Sequence, residues 1–361
     1  MSPTKLYASG HNAWKQTMPD VQKQPNDIYS FSQIKGRLFD DIRDIQAFLS
    51  HTIFHVAPAG TTWTRPLPQG SMPRALRKLY GPEYNESYVL LTLAGNGKIA
   101  AKGHDGNLRM YESARRMLTD VNDCVTYPGV ENIKQIVGYE VGFAALDSYG
   151  NVFTWGDERF PACLGRPVTA DSPADFPHKV PNLGPQASRR VGKIAGNGYM
   201  LAAVTLSNCL YCWGGHPGKA PILRGLGTAP HRQNARGKKV LDVGVGDSHL
   251  IVLTDDDKIM VIGDNTHGQL GIAADKATEW TEVALELHGA VETIVCVKAG
   301  PTNSFIVVAS MDPGDDLDYS VDDEDEESDE DDAPFFVGRK RGRESSNDDN
   351  AEQDGYSLDI Y

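Results

Sequence analysis

One ten-residue phrase recurs along this chain, and its second half stands alone near the start. Each copy is a polar turn followed by a short apolar strand that ends on glycine: DSYGNVFTWG (147–156), TLSNCLYCWG (205–214), TDDDKIMVIG (254–263) and AGNGKIAAKG (94–103). The strand at 303–309 (NSFIVVA) lacks this continuation, whereas residues 5–10 (KLYASG) lack the first half. A chain that starts inside a repeat and ends inside one is arranged to close into a ring.

A second phrase precedes the turn in four places and predicts the other half of a hairpin. It combines a glycine-bearing strand start, a loop and a strand of small and β-branched residues, at 136–147, 194–205, 243–254 and 298–309. Such a strand suits burial on both faces, and the glycine lets a neighbouring backbone approach closely. The two phrases together predict a β-hairpin in each repeat.

The repeats are spaced like the blades of a β-propeller. Aligned on the turn, six copies begin at Ala57, Ala94, Asp147, Thr205, Thr254 and Ala309. We therefore predict an all-β fold, a β-propeller of six or seven four-stranded blades that closes by pairing the N-terminal strand into the last blade. Seven blades stay open because the step from Ala57 to Ala94 is only 37 residues, and residues 62–86 could conceal a degenerate blade.

Charge divides the chain into two parts. Residues 312–361 hold 20 of the 49 acidic residues and 4 of the 35 basic ones, so residues 1–311 are nearly neutral although the whole chain carries −14. A segment this acidic repels itself and cannot form a core. We predict a propeller over 1–311 and a disordered acidic tail over 312–361. The chain shows no apolar leader, no stretch long enough to cross a bilayer and an odd count of five cysteines, which favours a reducing compartment and no membrane.

The tail contains candidate regulatory sites. A basic cluster at 339–343 (Arg339, Lys340, Arg341 and Arg343) is of the kind read as a nuclear import signal. Ser328 is followed by four acidic residues and resembles a target of acidophilic kinases, and Ser345 and Ser346 resemble one less closely. Acidic tails also contact histones and other basic proteins, and the alternative is a purely solubilising tail.

No residue pattern predicts catalysis, a cofactor, a metal or a small-molecule substrate. Cys209 and Cys212 fall within one predicted strand, and no second cysteine pair completes a zinc site. His249 has no nucleophile or paired acid beside it, so we expect its ring to hydrogen-bond within its own blade near the axis. Residues 255–257 (DDD) lack the glycine and glutamate of a calcium loop and fit a solvated turn. We expect no enzyme.

The repeats resemble the regulator of chromosome condensation repeat family. The best match is VGVGDSHLIVLTDDDKIMVIGDNTHGQLG (243–271), which contains His249 and the terminal motif from Gly263 to Gly271. The copy at 147–165 keeps FTWGDERFPACLG, LYCWGG follows in the copy that begins at Thr205, and the start of the chain has LYASGHNAW. Gly142, Met200 and Ser304 align with His249, so the chain resembles a divergent member. The resemblance implies structural roles for the signature residues Gly156, Gly214, Gly263, Gly271, Trp155, Trp213 and His249.

The resemblance also implies a function in protein binding. Propellers of this family bind other proteins through their faces and loops, and the founding member accelerates nucleotide exchange on the small GTPase Ran and sits on nucleosomes. We expect a non-enzymatic, monomeric protein-interaction scaffold in the nucleus, shared with the cytoplasm. The alternatives are a guanine-nucleotide exchange factor for a Ran-like small GTPase and a protein that associates with chromatin through histones. Fold by itself does not choose between them.

Overall fold

The computed structural model describes residues 4–17, 26–34, 42–57, 65–81, 88–186, 188–285 and 292–310. The chain divides into two units, Met1–Asp315 and Asp316–Tyr361, and all described residues belong to the first. The acidic tail, its basic cluster and its candidate phosphorylation sites lie outside the described residues and stay predictions.

The described strands form six antiparallel sheets, which are the blades of a propeller. In chain order, β1 (Thr4–Gly10) and β2 (Ile28–Ile34) belong to blade 1; β3 (Ile42–Ala47), β4 (His51–Val56) and β5 (Arg65–Gly70) form blade 2; and β6 (Tyr88–Leu93), β7 (Ile99–Gly103), β8 (Leu108–Tyr111) and β9 (Val125–Tyr127) form blade 3.

The second half of the chain repeats this layout and then returns to blade 1. Blade 4 contains β10 (Ile133–Tyr139), β11 (Gly142–Asp147), β12 (Val152–Gly156) and β13 (His178–Lys179); blade 5 contains β14 (Val191–Asn197), β15 (Met200–Thr205), β16 (Leu210–Gly214) and β17 (His231–Gln233); blade 6 contains β18 (Val240–Val245), β19 (His249–Thr254), β20 (Ile259–Asp264) and β21 (Lys276–Val283); and β22 (Glu292–Gly300) and β23 (Asn303–Ser310) complete blade 1.

Among the described residues, three short helices connect strands: α1 (Arg74–Leu79), α2 (Ala114–Thr119) and α3 (Pro161–Leu164). No helix among the described residues has the length and apolar character needed to cross a membrane. The fold is therefore all-β, as predicted, with helices confined to connections.

The closure predicted from the N-terminal half-repeat is confirmed. Strand β1 pairs antiparallel with β23 over its whole length, from Thr4 opposite Ala309 to Gly10 opposite Asn303. Its other edge pairs with β2, so β1 is an interior strand of blade 1, in the order β2-β1-β23-β22. Because the two ends of the described propeller share one sheet, neither leaves an unpaired edge at the join.

The propeller has six blades, and its strand pairing corrects one repeat boundary. In blades 4, 5 and 6 the polar turn joins the second strand to the third, but the turn at residues 95–97 joins the inner strand β6 to the second strand β7. The true counterpart in blade 3 is the turn at 104–107, which precedes β8. The step of 37 residues is short because the repeat alignment placed the blade 3 turn one strand too early. Residues 65–79 contain β5 and α1 instead of a further blade.

That error has a simple physical origin. Neighbouring hairpins of one antiparallel blade use the same ingredients, a glycine turn and a short strand of small apolar residues. The phrases AGNGKIAAKG and GHDGNLRMY share Gly103, and each has a glycine turn followed by a short strand, but only the first ends on glycine as the repeated phrase does. Only the pairing partners distinguish them, and those depend on tertiary structure.

The hydrophobic core lies mainly between adjacent blades. Every residue of the second strands β11, β15 and β19 is buried, as predicted for strands covered on both faces. Trp213 packs with residues of blades 4 and 5, including Val180 and Leu201, and its indole Nε1 donates a hydrogen bond to Cys163 O at 3.1 Å. Trp155 packs in the equivalent cluster between blades 3 and 4. These indoles therefore join blades and leave no aromatic surface at their own positions.

Candidate interaction face and central channel

The six inner strands border a central channel of about 1790 Å³. Strands β3, β6, β10, β14, β18 and β22 all contribute lining residues. A channel of this size could in principle hold a ligand, so the chemistry of its walls determines whether it is a candidate site.

Polar side chains of the channel wall are used to tie neighbouring blades together. Gln135 of blade 4 bonds blade 5 twice, because its Nε2 donates to Ile194 O at 2.7 Å and its Oε1 accepts from Ile194 N at 3.0 Å. Asp242 of blade 6 forms an ion pair with Lys193 of blade 5 and accepts a hydrogen bond from Val297 N of blade 1 at 3.0 Å. These groups are occupied by structural contacts between blades.

A further ion pair spans the join between blades 1 and 2. Burial would lower the pKa of Lys298, but the carboxylates of Asp44 and Asp242 hold that pKa above its usual value. Burial likewise would raise the pKa of Asp44, and the Lys298 ammonium, with which it forms an ion pair, holds it below its usual value. Both groups are therefore charged near neutral pH and paired, which does not fit an acid–base catalyst.

One face of the ring carries the turns that join each inner strand to the second strand, and we call it the inner-turn face. On it, Glu140 of blade 4 and Asp247 of blade 6 are both half-buried. The inner turns of blades 3, 4 and 5 are bonded in series, because Asn96 N donates to Glu140 O at 2.8 Å and Glu140 N donates to Gly198 O at 2.6 Å. This backbone frame holds the Glu140 side chain at a defined place near the channel mouth.

Half-buried aromatic rings adjoin these carboxylates. Tyr199, in the inner turn of blade 5, lies 5.2 Å from the Phe160 ring and 4.9 Å from the His216 ring, measured between centroids. Phe160 and His216 stand in the loops that follow the third strands of blades 4 and 5. We call Glu140, Phe160, Tyr199, His216 and Asp247 the acidic–aromatic patch.

The patch is electrostatically unbalanced. Burial and the nearby Asp247 carboxylate raise the pKa of Glu140, whereas His216 opposes that shift. Burial, Glu140 and Asp247 also raise the pKa of Tyr199. The nearby Arg159 lies over the Phe160 ring and is paired with Asp157. Two carboxylates that repel each other beside half-buried rings would therefore gain from a further cation supplied by a partner. The patch is therefore suited to binding a positively charged protein segment.

His249 is buried and reaches into the neighbouring blade, which corrects the prediction of a bond within its own blade. Its Nε2 lies 2.9 Å from Ser304 Oγ, which belongs to β23 of blade 1. The ring does not line the channel. Gly246 makes room for it, because a Cβ at that position would collide with the imidazole. Glycine and histidine three residues apart thus serve to connect two blades.

His249 also has a counterpart that sequence analysis missed. Pairing with the glycine at or next to the end of the third strand puts His249 opposite Gly263 and His51 opposite Gly70. The same criterion puts Asn303, and not Ser304, at this position in blade 1. The missed signal was present in the chain, since SHTI at 50–53 repeats SHLI at 248–251.

The terminal motif from Gly263 to Gly271 forms a compact loop at the join of blades 6 and 1. Asn265 Oδ1 accepts from Leu270 N at 2.7 Å, and its Nδ2 donates to Ile272 O and Ala274 O. Gly271 has φ +65°, and a Cβ at this position would collide with the Phe31 ring of β2. The motif is thus a structural connection between the last complete blade and the closing strands.

The N-terminal loop repeats this design more fully than the sequence indicated. Thr17 N donates to Asn12 Oδ1 at 3.1 Å, as Leu270 N does to Asn265 Oδ1. Trp14 N donates to Gln16 Oε1 at 2.9 Å, as His267 N does to Gln269 Oε1. Residues 10–17 (GHNAWKQT) therefore form a second, divergent copy of the motif.

The prediction that Cys209 and Cys212 share one strand needs correction. Cys209 lies in the turn before β16, not in the strand, whereas Cys212 lies in the strand and is fully buried. Cys163 is buried in α3, and Cys296 is only half-buried. Burial raises the pKa of Cys163 to about 12, so this thiol stays protonated at neutral pH. Residues 255–257 form the expected hairpin turn, in which Asp257 has φ +58°.

Comparison with known proteins matches one segment of the chain to a repeat family and finds two partial relatives. Residues 240–269 match the model of the Regulator of chromosome condensation (RCC1) repeat. The chain is 31% identical over 167 residues, 44% of its length, to the human E3 ubiquitin-protein ligase HERC2. It is 26% identical over 185 residues, 49% of its length, to the RCC1 domain-containing protein RUG3, mitochondrial, of Arabidopsis thaliana. These matches span 3% of HERC2 and 38% of RUG3.

Solved structures share the fold at low sequence identity. The crystal structure of human WBSCR16 has a TM-score of 0.57 at 12% identity and covers 85% of this chain and 99% of that one. Prp20p from Saccharomyces cerevisiae has a TM-score of 0.54 at 13% identity and covers 87% of this chain and 93% of its own. The chain therefore shares the β-propeller fold of these structures, and one of its six blades contains a segment that is similar to the RCC1 repeat.

Proposed function

We propose that this propeller is a non-enzymatic scaffold that binds a basic segment of a partner protein on its inner-turn face. The observation that carries the proposal is the acidic–aromatic patch, in which Glu140 and Asp247 stand near each other beside the rings of Tyr199, Phe160 and His216. The charged groups of the channel wall, Lys298, Asp44 and Asp242, are already engaged in contacts between blades. This favours the patch over the channel as the binding site.

The chemistry of the patch favours a lysine or arginine side chain of the partner. A cation between Glu140 and Asp247 would relieve their repulsion, and its alkyl stem or guanidinium would lie against an aromatic ring. Aromatic residues are the type most often found at energetically dominant positions of protein interfaces. The patch draws on blades 4, 5 and 6, so its geometry depends on the assembled ring.

The proposal predicts that the patch variants lose a partner that the intact chain retains. Glu140→Gln combined with Asp247→Asn, and separately Tyr199→Ala, should reduce recovery of the partner by about tenfold or more in an affinity pull-down read by mass spectrometry. The matched control is Tyr149→Ala, because Tyr149 is 59% exposed in the turn at the other end of β11, on the opposite face.

Two outcomes of the pull-down would contradict the proposal. A partner lost equally from the Tyr149 variant and the patch variants would show that the inner-turn face is not the binding surface. A partner unaffected by the patch substitutions would contradict the proposal outright. Recovery in increasing salt gives a second readout, since binding to a basic segment should weaken as salt rises.

Guanine-nucleotide exchange and chromatin association are second candidates. They are favoured by the fold shared with Prp20p, whose structure is described together with its binding to Gsp1p and histones. A basic histone segment would suit the patch chemically. Release of fluorescent GDP from a Ran-like GTPase tests the first, and an unchanged rate with the full chain would remove it. Salt-dependent binding to nucleosomes tests the second.

We further propose a nuclear location, with a cytoplasmic share, directed by the cluster Arg339, Lys340, Arg341 and Arg343. Replacing Arg339, Lys340 and Arg341 by alanine in a tagged full chain should shift it to the cytoplasm. Unchanged nuclear fluorescence would eliminate the signal. A mitochondrial location of the unaltered chain, as the name of RUG3 states for that protein, would overturn the proposal.

A further inference from the structure

Three potential metal ligands meet where the N-terminal segment joins blade 6. His11 follows β1, Asp27 precedes β2, and His267 belongs to the loop after β20. One ligand atom from each lies within 4.8 Å of the other two. His267 Nδ1 is 2.9 Å from Asp27 Oδ2, and His11 Nδ1 is 3.2 Å from Asp27 Oδ1. His11 and Asp27 belong to the connection between β1 and β2, whereas His267 is more than 200 residues away in the chain and meets them only because the ring closes.

One nitrogen of this cluster is unsatisfied. His11 Nδ1 is buried, and despite its proximity to Asp27 it finds no hydrogen-bond partner among the described residues. A buried polar atom without a partner is uncommon and often marks the place of a water or an ion. The two imidazole rings are 5.0 Å apart in an edge-to-face arrangement, so both Nδ1 atoms converge on one carboxylate.

The donor set and its spacing suit zinc. Two imidazole nitrogens and a carboxylate oxygen are common Zn²⁺ ligands, with bonds of about 2.0–2.2 Å. Ligand atoms around a tetrahedral ion at that bond length stand roughly 3.3–3.5 Å apart. The two imidazole–carboxylate distances, 2.9 and 3.2 Å, are slightly shorter, and all three ligand atoms lie within 4.8 Å of one another. His267 is 40% exposed, so an ion could enter and a water could occupy its fourth position.

The surrounding loops hold the ligands in place before any ion arrives. His11 N donates to Thr302 O at 2.8 Å, and Asp27 Oδ1 accepts from Asn12 N at 3.2 Å. His267 sits within the loop held by Asn265 and Gln269. Contacts of this kind orient ligands and strengthen metal binding.

We propose that His11, Asp27 and His267 bind one Zn²⁺ ion, which fastens the N-terminal closing segment to blade 6. The site forms only in the closed ring, so the ion binds the folded chain and stabilises it by mass action. Neither the proposed partner nor the patch enters this inference, because the two sites consist of different residues.

Zinc titration of the full chain tests the site. After removal of metal with a chelator, isothermal titration with zinc chloride should show one saturable site per chain that is lost in His267→Ala and in Asp27→Asn. Saturating zinc should raise the melting temperature of the unaltered chain by several degrees, and this shift should be absent in both variants. The matched control is His231→Ala, an exposed histidine of blade 5, which should keep the site and the shift.

Folding of the variants is checked without metal. His267 is partly exposed and asparagine preserves the size of Asp27, so metal-free melting should change little in either variant. The proposal is overturned if zinc binds with the same stoichiometry to His267→Ala, or if the unaltered chain shows no saturable binding at micromolar zinc. In that case His267 and Asp27 form a hydrogen bond and nothing more.

Discussion

Deleting residues 1–12 from the chain is expected to abolish its cooperative folding. Strand β1 is an interior strand of blade 1, hydrogen-bonded to β2 on one side and β23 on the other. Its removal would expose two strand edges and the buried side chains of Phe305 and Val307, against which Leu6 and Ala8 pack in the intact chain. The ring would open at blade 1, and the interfaces on both sides of that blade would lose their support.

A single substitution should reproduce much of this effect. Tyr7 pairs with Gln33 and Ile306, so proline at position 7 removes a ladder hydrogen bond from an interior strand. Proline is found in sheets essentially only on edge strands or at bulges, and the buried carbonyl that loses its donor costs about 1–3 kcal/mol. Tyr7→Phe is the matched control, because the buried Tyr7 Oη has no partner among the described residues and its loss should cost little.

Urea unfolding monitored by circular dichroism and limited proteolysis measure the outcome. The truncated chain should show a broad, non-cooperative transition and rapid cleavage, and Tyr7→Pro should unfold at much lower urea than Tyr7→Phe. A truncated chain that unfolds cooperatively at the urea midpoint of the intact chain would disprove the closure role of β1.

Acid should destabilise the propeller between pH 6.5 and 4 through a buried histidine. Burial lowers the pKa of His249 from its usual 6.5 to about 4. The unfolded chain therefore takes up this proton as the pH falls below 6.5, while the folded chain resists until about pH 4. The stability is complete above pH 6.5 and declines as the pH falls towards 4, by about 3 kcal/mol for this residue.

His249→Asn should remove that part of the acid sensitivity, because asparagine occupies the equivalent position 303 in blade 1. Burial also lowers the pKa of His51 to about 4, so the double variant His51→Asn/His249→Asn should respond still less to acid. The free energy of unfolding in urea, measured at pH 7 and at pH 4.5, gives the comparison. The exposed His231→Asn should behave like the unaltered chain, and an undiminished pH response of His249→Asn would refute the assignment.

The blade hairpins and the closure could be read from the chain because their signals are local. A glycine turn followed by apolar alternation predicts a hairpin wherever it occurs, and a half-repeat at each end predicts their pairing. The boundary in blade 3 could not be read this way, since two adjacent hairpins of one blade present the same signal. His51 could have been found from its Ser-His-x-Ile context, but the surrounding blade diverges from the others.

The candidate sites lay beyond sequence reasoning for a different reason. Glu140, Tyr199 and Asp247 are single residues in inner turns of three blades, and nothing in their local sequence sets them apart. Likewise His11, Asp27 and His267 are ordinary loop residues until blade 1 closes against blade 6. Each set is spread over more than a hundred residues of chain and has no spacing that a motif could encode.

The amino-acid sequence alone thus determined the repeat, the hairpins, the all-β class and the pairing of the N-terminal strand with the last blade, because alternation, turn chemistry and glycine act over a few neighbouring residues. The tertiary structure alone decided the number of blades, the contacts of His249 and the two clusters of side chains. These depend on which strands become neighbours around the ring, and that choice is made by packing between blades.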